Sequence, residues 1–197
     1  MSSLVLCGTI KLLFMQASPL KQFNNHTVKK RTAKTDVIPQ PNTIQLAPIH
    51  LKHAPIILKR MSKDICQALN CLPINSIESA QNYILENSGK PHTRRGIFHH
   101  EFGLIGCVGY YLHTDQRQPH AFIYYWISAP YQRKGFASLA IKQLIHQLKQ
   151  QGISQLYADV FDSNYASQNL LQSIGFKRQE MPVCLEPRMI FRFERRM

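Results

Sequence analysis

Residues 122–137 read Phe-Ile-Tyr-Tyr-Trp-Ile-Ser-Ala-Pro-Tyr-Gln-Arg-Lys-Gly-Phe-Ala, and the reading of this stretch decides the fold. Its first half, Phe122 to Ile127, is apolar and aromatic and predicts a strand. Gln132-Arg133-Lys134-Gly135-Phe136-Ala137 follows as a basic, glycine-bearing loop, and an amphipathic stretch begins at Phe136. A strand that turns through a small residue into a helix points several backbone N–H groups at one spot, which makes an anion site. The positive end of the helix dipole and the side chains of Arg133 and Lys134 add to the attraction for phosphate.

Outward from the loop, Ala137, Leu139, Ala140, Ile141, Leu144, Ile145 and Leu148 recur three and four apart, the spacing of a helix with one buried face. Gly152 is placed to end that helix. Residues 155–161 are short and β-prone, Asp162-Ser163-Asn164 is turn and N-cap chemistry, and a second helix is predicted over 165–174, closed by Gly175. A strand–helix–strand unit of this length favours parallel pairing with a right-handed crossover. Upstream, residues 43–47 alternate as a first strand, and 50–61 and 77–87 read as helices. Residues 95–99 and 104–112 form a hairpin around Glu101-Phe102-Gly103, 121–128 is a strand, and a last strand covers about 188–194.

Taken singly these signals are ordinary: a basic turn, a helix cap at Asn164, a C-cap followed by a core aromatic at Gly175-Phe176. In this order they resemble the GNAT superfamily of acetyl-CoA-dependent N-acyltransferases. The phosphate-loop pattern is met by Gln132, Gly135 and Ala137, and it continues in Asn164, Ser167 and Gly175-Phe176. Tyr125-Trp126 before the loop and Asn164-Tyr165-Ala166-Ser167 after the next strand are most similar to the branch of ribosomal-protein N-terminal acetyltransferases. The resemblance spans about Ile44 to Gln179 and is strongest from Tyr124 to Phe176. It implies an α/β (α+β layered) domain over residues 42–197, with a mixed central sheet of six to seven strands flanked by about four helices.

The resemblance also implies a site. Ile127 and Ser128 would hold the pantetheine arm, and the amides of Arg133, Lys134, Gly135, Phe136, Ala137 and Ser138 would hold the phosphates. Asn164 would bond the arm or fix the splayed strand edge. Many members carry a proton-donating Tyr seven residues beyond that Asn, but here the position is Leu171. Ser167, one helical turn earlier on the same face, becomes the expected hydrogen-bond donor to the leaving thiolate; the alternative is that it only caps the helix. The general base stays open among Glu101, His99, His100, His113, His120 and ordered water, with Tyr124 or Tyr125 shaping the pocket. Downstream of Gly175 the chain is shorter than in that branch, and Pro182, Cys184 and Pro187 interrupt it, which leaves acceptor choice open.

The 197 residues suffice for one such domain plus an extension, and 44% are hydrophobic. The five cysteines, Cys7, Cys66, Cys71, Cys107 and Cys184, form no CxxC and no Cys/His pair at zinc spacing. Reduced thiols, a cytoplasmic setting and no metal are therefore expected. No apolar run reaches the length that crosses a bilayer. Residues 1–41 read as a basic, disordered extension, against a weak targeting segment or a misplaced start; charges that follow the partly apolar Leu4 to Met15 run argue against secretion. The net charge of +13 includes Arg94-Arg95, Lys177-Arg178 and Arg195-Arg196. Such a surface attracts a polyanionic co-substrate, and nucleic acid or ribosome association is a weaker expectation. The expected function is acetyl transfer from acetyl-CoA to a primary amine, first of all a protein N-terminus. A small-molecule amine acceptor and a non-catalytic CoA-fold protein docking on RNA or ribosomes are the alternatives.

Overall fold

The strand that opens the decisive stretch, β4 (His120–Ile127), lies mid-sheet with helices on both of its faces. A computed structural model describes residues 44–86, 92–113, 119–179, 184–185 and 188–197; the extension over 1–41, Pro182 and Pro187 lie outside the described residues. β1 (Ile44–Pro48), β2 (His92–His99) and β3 (Gly103–His113) run antiparallel in sequence, and β3 pairs antiparallel with β4. β4 then pairs in parallel with β5 (Gln155–Phe161), the crossover being α4 (Phe136–Gln150). β6 (Lys177–Arg178) and β7 (Cys184–Leu185) both attach to β8 (Arg188–Arg196), which lies antiparallel on β5. The path β1-β2-β3-β4-β5-β8-β6 is the mixed sheet that the resemblance implied, with β7 set off it.

Alternation along β4 sorts its side chains between two cores. Ala121, Ile123 and Ile127 are buried with Ile141, Leu144 and Leu148 of α4, which is why α4 repeats apolar residues at three and four. Trp126 faces the other way, into a core built by α1 (Ala54–Arg60), α2 (Lys63–Ala68) and α3 (Ile77–Leu85). There its Nε1 donates to the Tyr83 hydroxyl over 3.0 Å.

Two upstream elements differ from the sequence reading. The helix expected from His50 opens as a 3-10 turn, Leu51–His53, and becomes α-helical at Ala54, with Pro55 in a first-turn position where its missing N–H costs nothing. The six-residue α2 was not foreseen, since it is shorter than two turns and shows no period; Ser62 caps it by accepting from Ile65 N–H. The last helix, α5 (Tyr165–Ser173), lies where the N-cap Asn164 predicts it.

One departure from sheet regularity positions the site. The β4–β5 ladder holds only the pairs His120↔Gln155, Ala121↔Leu156 and Phe122↔Tyr157. Beyond Phe122, β4 stays with β3 as far as Ile127 while β5 stays with β8 as far as Phe161. The two parallel strands part, and a V-shaped gap opens at their C-terminal ends, where open α/β sheets bind ligands.

Candidate active site

A cleft of about 880 Å³ fills that gap. It is lined by both parted strands, by α2, by the loop from Ala129 to Ser138, and by the start of α5. Three parts of it bear on chemistry: a polar loop, an open strand edge and a pair of hydroxyls.

The loop is shaped by backbone conformation. Arg133 and Gly135 both adopt left-handed φ, +58° and +82°, which curls the chain into the start of α4. At Gly135, the N-cap of α4, a side chain would be strained in that conformation. No side chain caps this helix and no acidic residue lies in its first turn. The first bond of the helix runs from Leu139 N–H to the Gly135 carbonyl, so the amides of Phe136, Ala137 and Ser138 precede the helical ladder. Arg133, Gly135, Phe136, Ala137 and Ser138 line the cleft, while Lys134 is exposed beside it, its Nζ 5.9 Å from the Tyr131 ring centre. The uncapped end of a 15-residue helix, flanked by two cations, is a donor set that fits a diphosphate.

The strand edge is supplied by β4. Ser128 is buried, its N–H donates to the Ile105 carbonyl over 2.9 Å, and its carbonyl accepts from Tyr131 N–H over 2.9 Å. Because Ser128 N–H points at β3, strand alternation turns the Ile127 N–H toward β5, where no ladder pair takes it. The Ile127 carbonyl accepts from Gln132 Nε2 over 2.8 Å. Ile127 thus lines the cleft, with Ser128 behind it tying the strand end to β3.

The hydroxyl pair comes from two elements. Asn164 Oδ1 accepts from Ser167 N–H over 3.1 Å, so Asn164 does the capping and the Ser167 hydroxyl is not spent on it. Ser167 Oγ instead lies 2.6 Å from the Tyr125 hydroxyl. Burial pushes the Tyr125 phenol up to about 12, against the opposing effect of the Ser167 hydrogen bond, so it stays protonated at neutral pH. Both side chains line the cleft. Leu171, where the resemblance implied a Tyr in many members, is fully buried in the core.

The residues proposed as bases are not brought here. His99, His100 and Glu101 form the tip of the β2–β3 hairpin, with ligand-type atoms within 4.8 Å of one another, and His99 packs edge-on against Phe136. His113 and His120 are cross-strand partners, their rings stacked 5.1 Å apart at the other end of the sheet. None of the five lines the cleft. The carboxylates that do are Asp64, exposed on α2, and Asp159 on β5, which is held bidentately by Arg192 of β8 at 2.8 and 2.9 Å. Sequence reading missed both. Asp159 sits five residues before the motif Asn164 on a predicted strand, a position that marks it as close to the site.

Tyr124 points away from Tyr125. Its hydroxyl is 2.7 Å from His92 Nε2 and accepts from Arg94 Nε over 3.1 Å, and Arg94 stacks on the Tyr83 ring at 3.7 Å. This network braces the sheet face beneath α3. Among the described residues Cys66, Cys71 and Cys107 are free thiols, and no helix is long and apolar enough to cross a membrane.

The sequence matches the model of the acetyltransferase (GNAT) family over residues 63–176. Among curated proteins none matches. Several solved structures share the fold. RimL, the ribosomal L7/L12 alpha-N-protein acetyltransferase in complex with coenzyme A, superposes with a TM-score of 0.68 at 17% identity, covering 81% of this chain and 97% of RimL. The Salmonella typhimurium acetyltransferase that modifies the N-terminal serine of 50S ribosomal subunit protein L7/L12 gives 0.67 at 17% identity, covering 81% and 98%. The microcin C7 self-immunity acetyltransferase MccE, in complex with acetyl-CoA and AMP, gives 0.65 at 17% identity, covering 79% and 93%.

Proposed function

The chain belongs to the acetyltransferase (GNAT) family and is an acyltransferase by that membership, and from this premise we propose that it moves an acetyl group from acetyl-CoA to the α-amine of a protein N-terminus. The observation that carries the reading is the convergence on one cleft of the uncapped α4 N-terminus, the β5-facing edge of β4 and the Ser167 hydroxyl. The cleft residues fit acetyl-CoA end to end: loop amides for the diphosphate, Ile127 N–H for the amide-rich arm, hydroxyls for the thioester end. Bound there, acetyl-CoA supplies an activated acyl carbon.

The chain's own part is positioning and charge management. The loop around Gly135 and the cations Arg133 and Lys134 hold the phosphates. The free edge of β4 orients the arm by adding a strand-like hydrogen bond where β5 has moved away. Asn164 fixes the first turn of α5, which aims Ser167 into the cleft to donate to the developing thiolate. Asp159, charge-paired to Arg192, and the exposed Asp64 attract the acceptor as an ammonium ion. They are also the cleft's carboxylates for the proton that the amine must lose before it attacks.

The choice of a protein N-terminus over a small-molecule amine rests on Tyr125-Trp126 and Asn164-x-x-Ser167, and on the RimL-type folds, whose acceptor is the L7/L12 N-terminus. Reduced cysteines make the cytoplasm the proposed setting. Titration with acetyl-CoA followed by thiol release against peptides and small amines tests the proposal. Saturable binding with turnover on peptide N-termini supports it. Binding without turnover on any amine would favour the non-catalytic alternative.

A further inference from the structure

The hydroxyl pair in the cleft has a direction, and the direction assigns a role to a residue that precedes the phosphate loop. Each hydroxyl carries one proton. If Ser167 donated to Tyr125, the phenol proton would be left with the Ser167 carbonyl, 3.5 Å away and too distant for a good bond. If Tyr125 donates to Ser167 Oγ, the 2.6 Å contact is a strong bond and the serine proton is free to turn elsewhere. The Tyr125 ring packs against the core below α4 and keeps the phenol in place.

We infer that Tyr125 is a positioning residue, donating to Ser167 Oγ so that the Ser167 proton is presented to a thiolate sulfur in the cleft. The inference rests on the acetyl-transfer reading above and deepens it. Leu171 leaves the buried face of α5 without a phenol, the helix's Tyr165 being exposed, and β4 supplies one from the opposite wall, acting through serine. The chain Tyr O–H to Ser O–H to sulfur is polarised along its length, each bond strengthening the next. No proton leaves the pair. A buried phenol near 12 is a weaker acid than a thiol near 8.5, so Tyr125 and Ser167 stabilise the thiolate by hydrogen bonding, and the thiol proton comes from the acceptor amine or solvent.

The test is the pKa of the thiol of coenzyme A bound to the protein, followed by thiolate absorbance and needing no acceptor. It is measured for the wild type, Tyr125→Phe, Ser167→Ala and the double variant. Both single variants are expected to raise the bound thiol's pKa by about one unit, the worth of one hydrogen bond to a charged group. The double variant should match Ser167→Ala, because Tyr125 acts only through the serine. With a peptide acceptor, Tyr125→Phe should lower kcat about tenfold and leave the KM for acetyl-CoA unchanged. A bound thiol that titrates alike in the wild type and Tyr125→Phe, or losses that add in the double variant, would overturn the inference. The thiol titration stays readable if no amine is ever acetylated, and absence of coenzyme A binding would sink both readings.

Discussion

The side-chain amide of Gln132 donates to the main-chain carbonyl of Ile127 over 2.8 Å, tying the loop back to the last residue of the strand it leaves. This bond satisfies a carbonyl on the edge of β4 that β5 has abandoned, and sets the spacing between the strand and the start of α4. Gln132→Ala should therefore weaken acetyl-CoA binding severalfold and cost about 1 kcal/mol of stability. Calorimetric titration and urea unfolding check the two effects separately. An unchanged affinity would mean that the loop holds its shape without this bond.

Gly135 carries the sharpest conformational demand in the loop, at φ +82°. Gly135→Ala should cost about 1–2 kcal/mol from the left-handed backbone alone. Gly135→Asn should cost less, since Asn tolerates that region. Urea unfolding of the two variants gives the comparison, and equal losses would show that crowding rather than backbone conformation dominates.

Trp126 is the chain's single tryptophan, and its fluorescence reports on the core beneath α3. Tyr83→Phe removes the hydroxyl that Trp126 Nε1 donates to and leaves a buried donor unpaired. A loss of about 1–3 kcal/mol is expected. Unfolding followed by that fluorescence measures it; a change below a few tenths would mean that another acceptor takes over.

Much of the fold was legible because its signals are local. α4 announces itself by period, β5 by a short β-prone run between Gly152 and Asp162, and α5 by the cap that Asn164 provides. What stayed hidden depends on distant partners or short elements. The contact of Tyr125 with Ser167 spans 42 positions and exists only because β4 and β5 part after Phe122. Asp159 is tied to the cleft wall by Arg192, 33 positions on. Intrinsic acidity makes the histidines candidate bases, but the hairpin register carries His99 and His100 to one end of β2–β3 and pairs His113 with His120 at the other. α2 was too brief to show a period.

Asp159 should matter to the acceptor more than to acetyl-CoA. Asp159→Asn removes one charge from the cleft and weakens the bidentate hold of Arg192. The expected outcome is a KM for the amine raised about tenfold with acetyl-CoA affinity nearly constant. Steady-state kinetics with a peptide acceptor reads both, and an effect confined to acetyl-CoA would place Asp159 elsewhere in the mechanism.

Burial, and next the neighbouring His100, hold His99 below its ordinary value of 6.5, while Glu101 acts the other way. Its Nδ1 accepts from Glu101 N–H over 3.2 Å, a bond that only the unprotonated nitrogen can make. The folded state then binds fewer protons than the unfolded chain between the lowered value and 6.5. Stability from His99 is full above 6.5 and is lost as the pH falls through that window. His99→Phe should flatten the dependence there in urea titrations at successive pH values; an unaltered slope would assign it to other groups.

The central claim is that the bend at Gly135 and the parted strands bind acetyl-CoA. A calorimetric titration of the wild type and of Gly135→Asp, which sets a bulky negative charge where the diphosphate would lie, addresses it most directly. Saturable one-to-one binding to the wild type, weakened at least a hundredfold in a folded Gly135→Asp variant, is the predicted result. No binding to the wild type, or equal binding by both proteins, would contradict it.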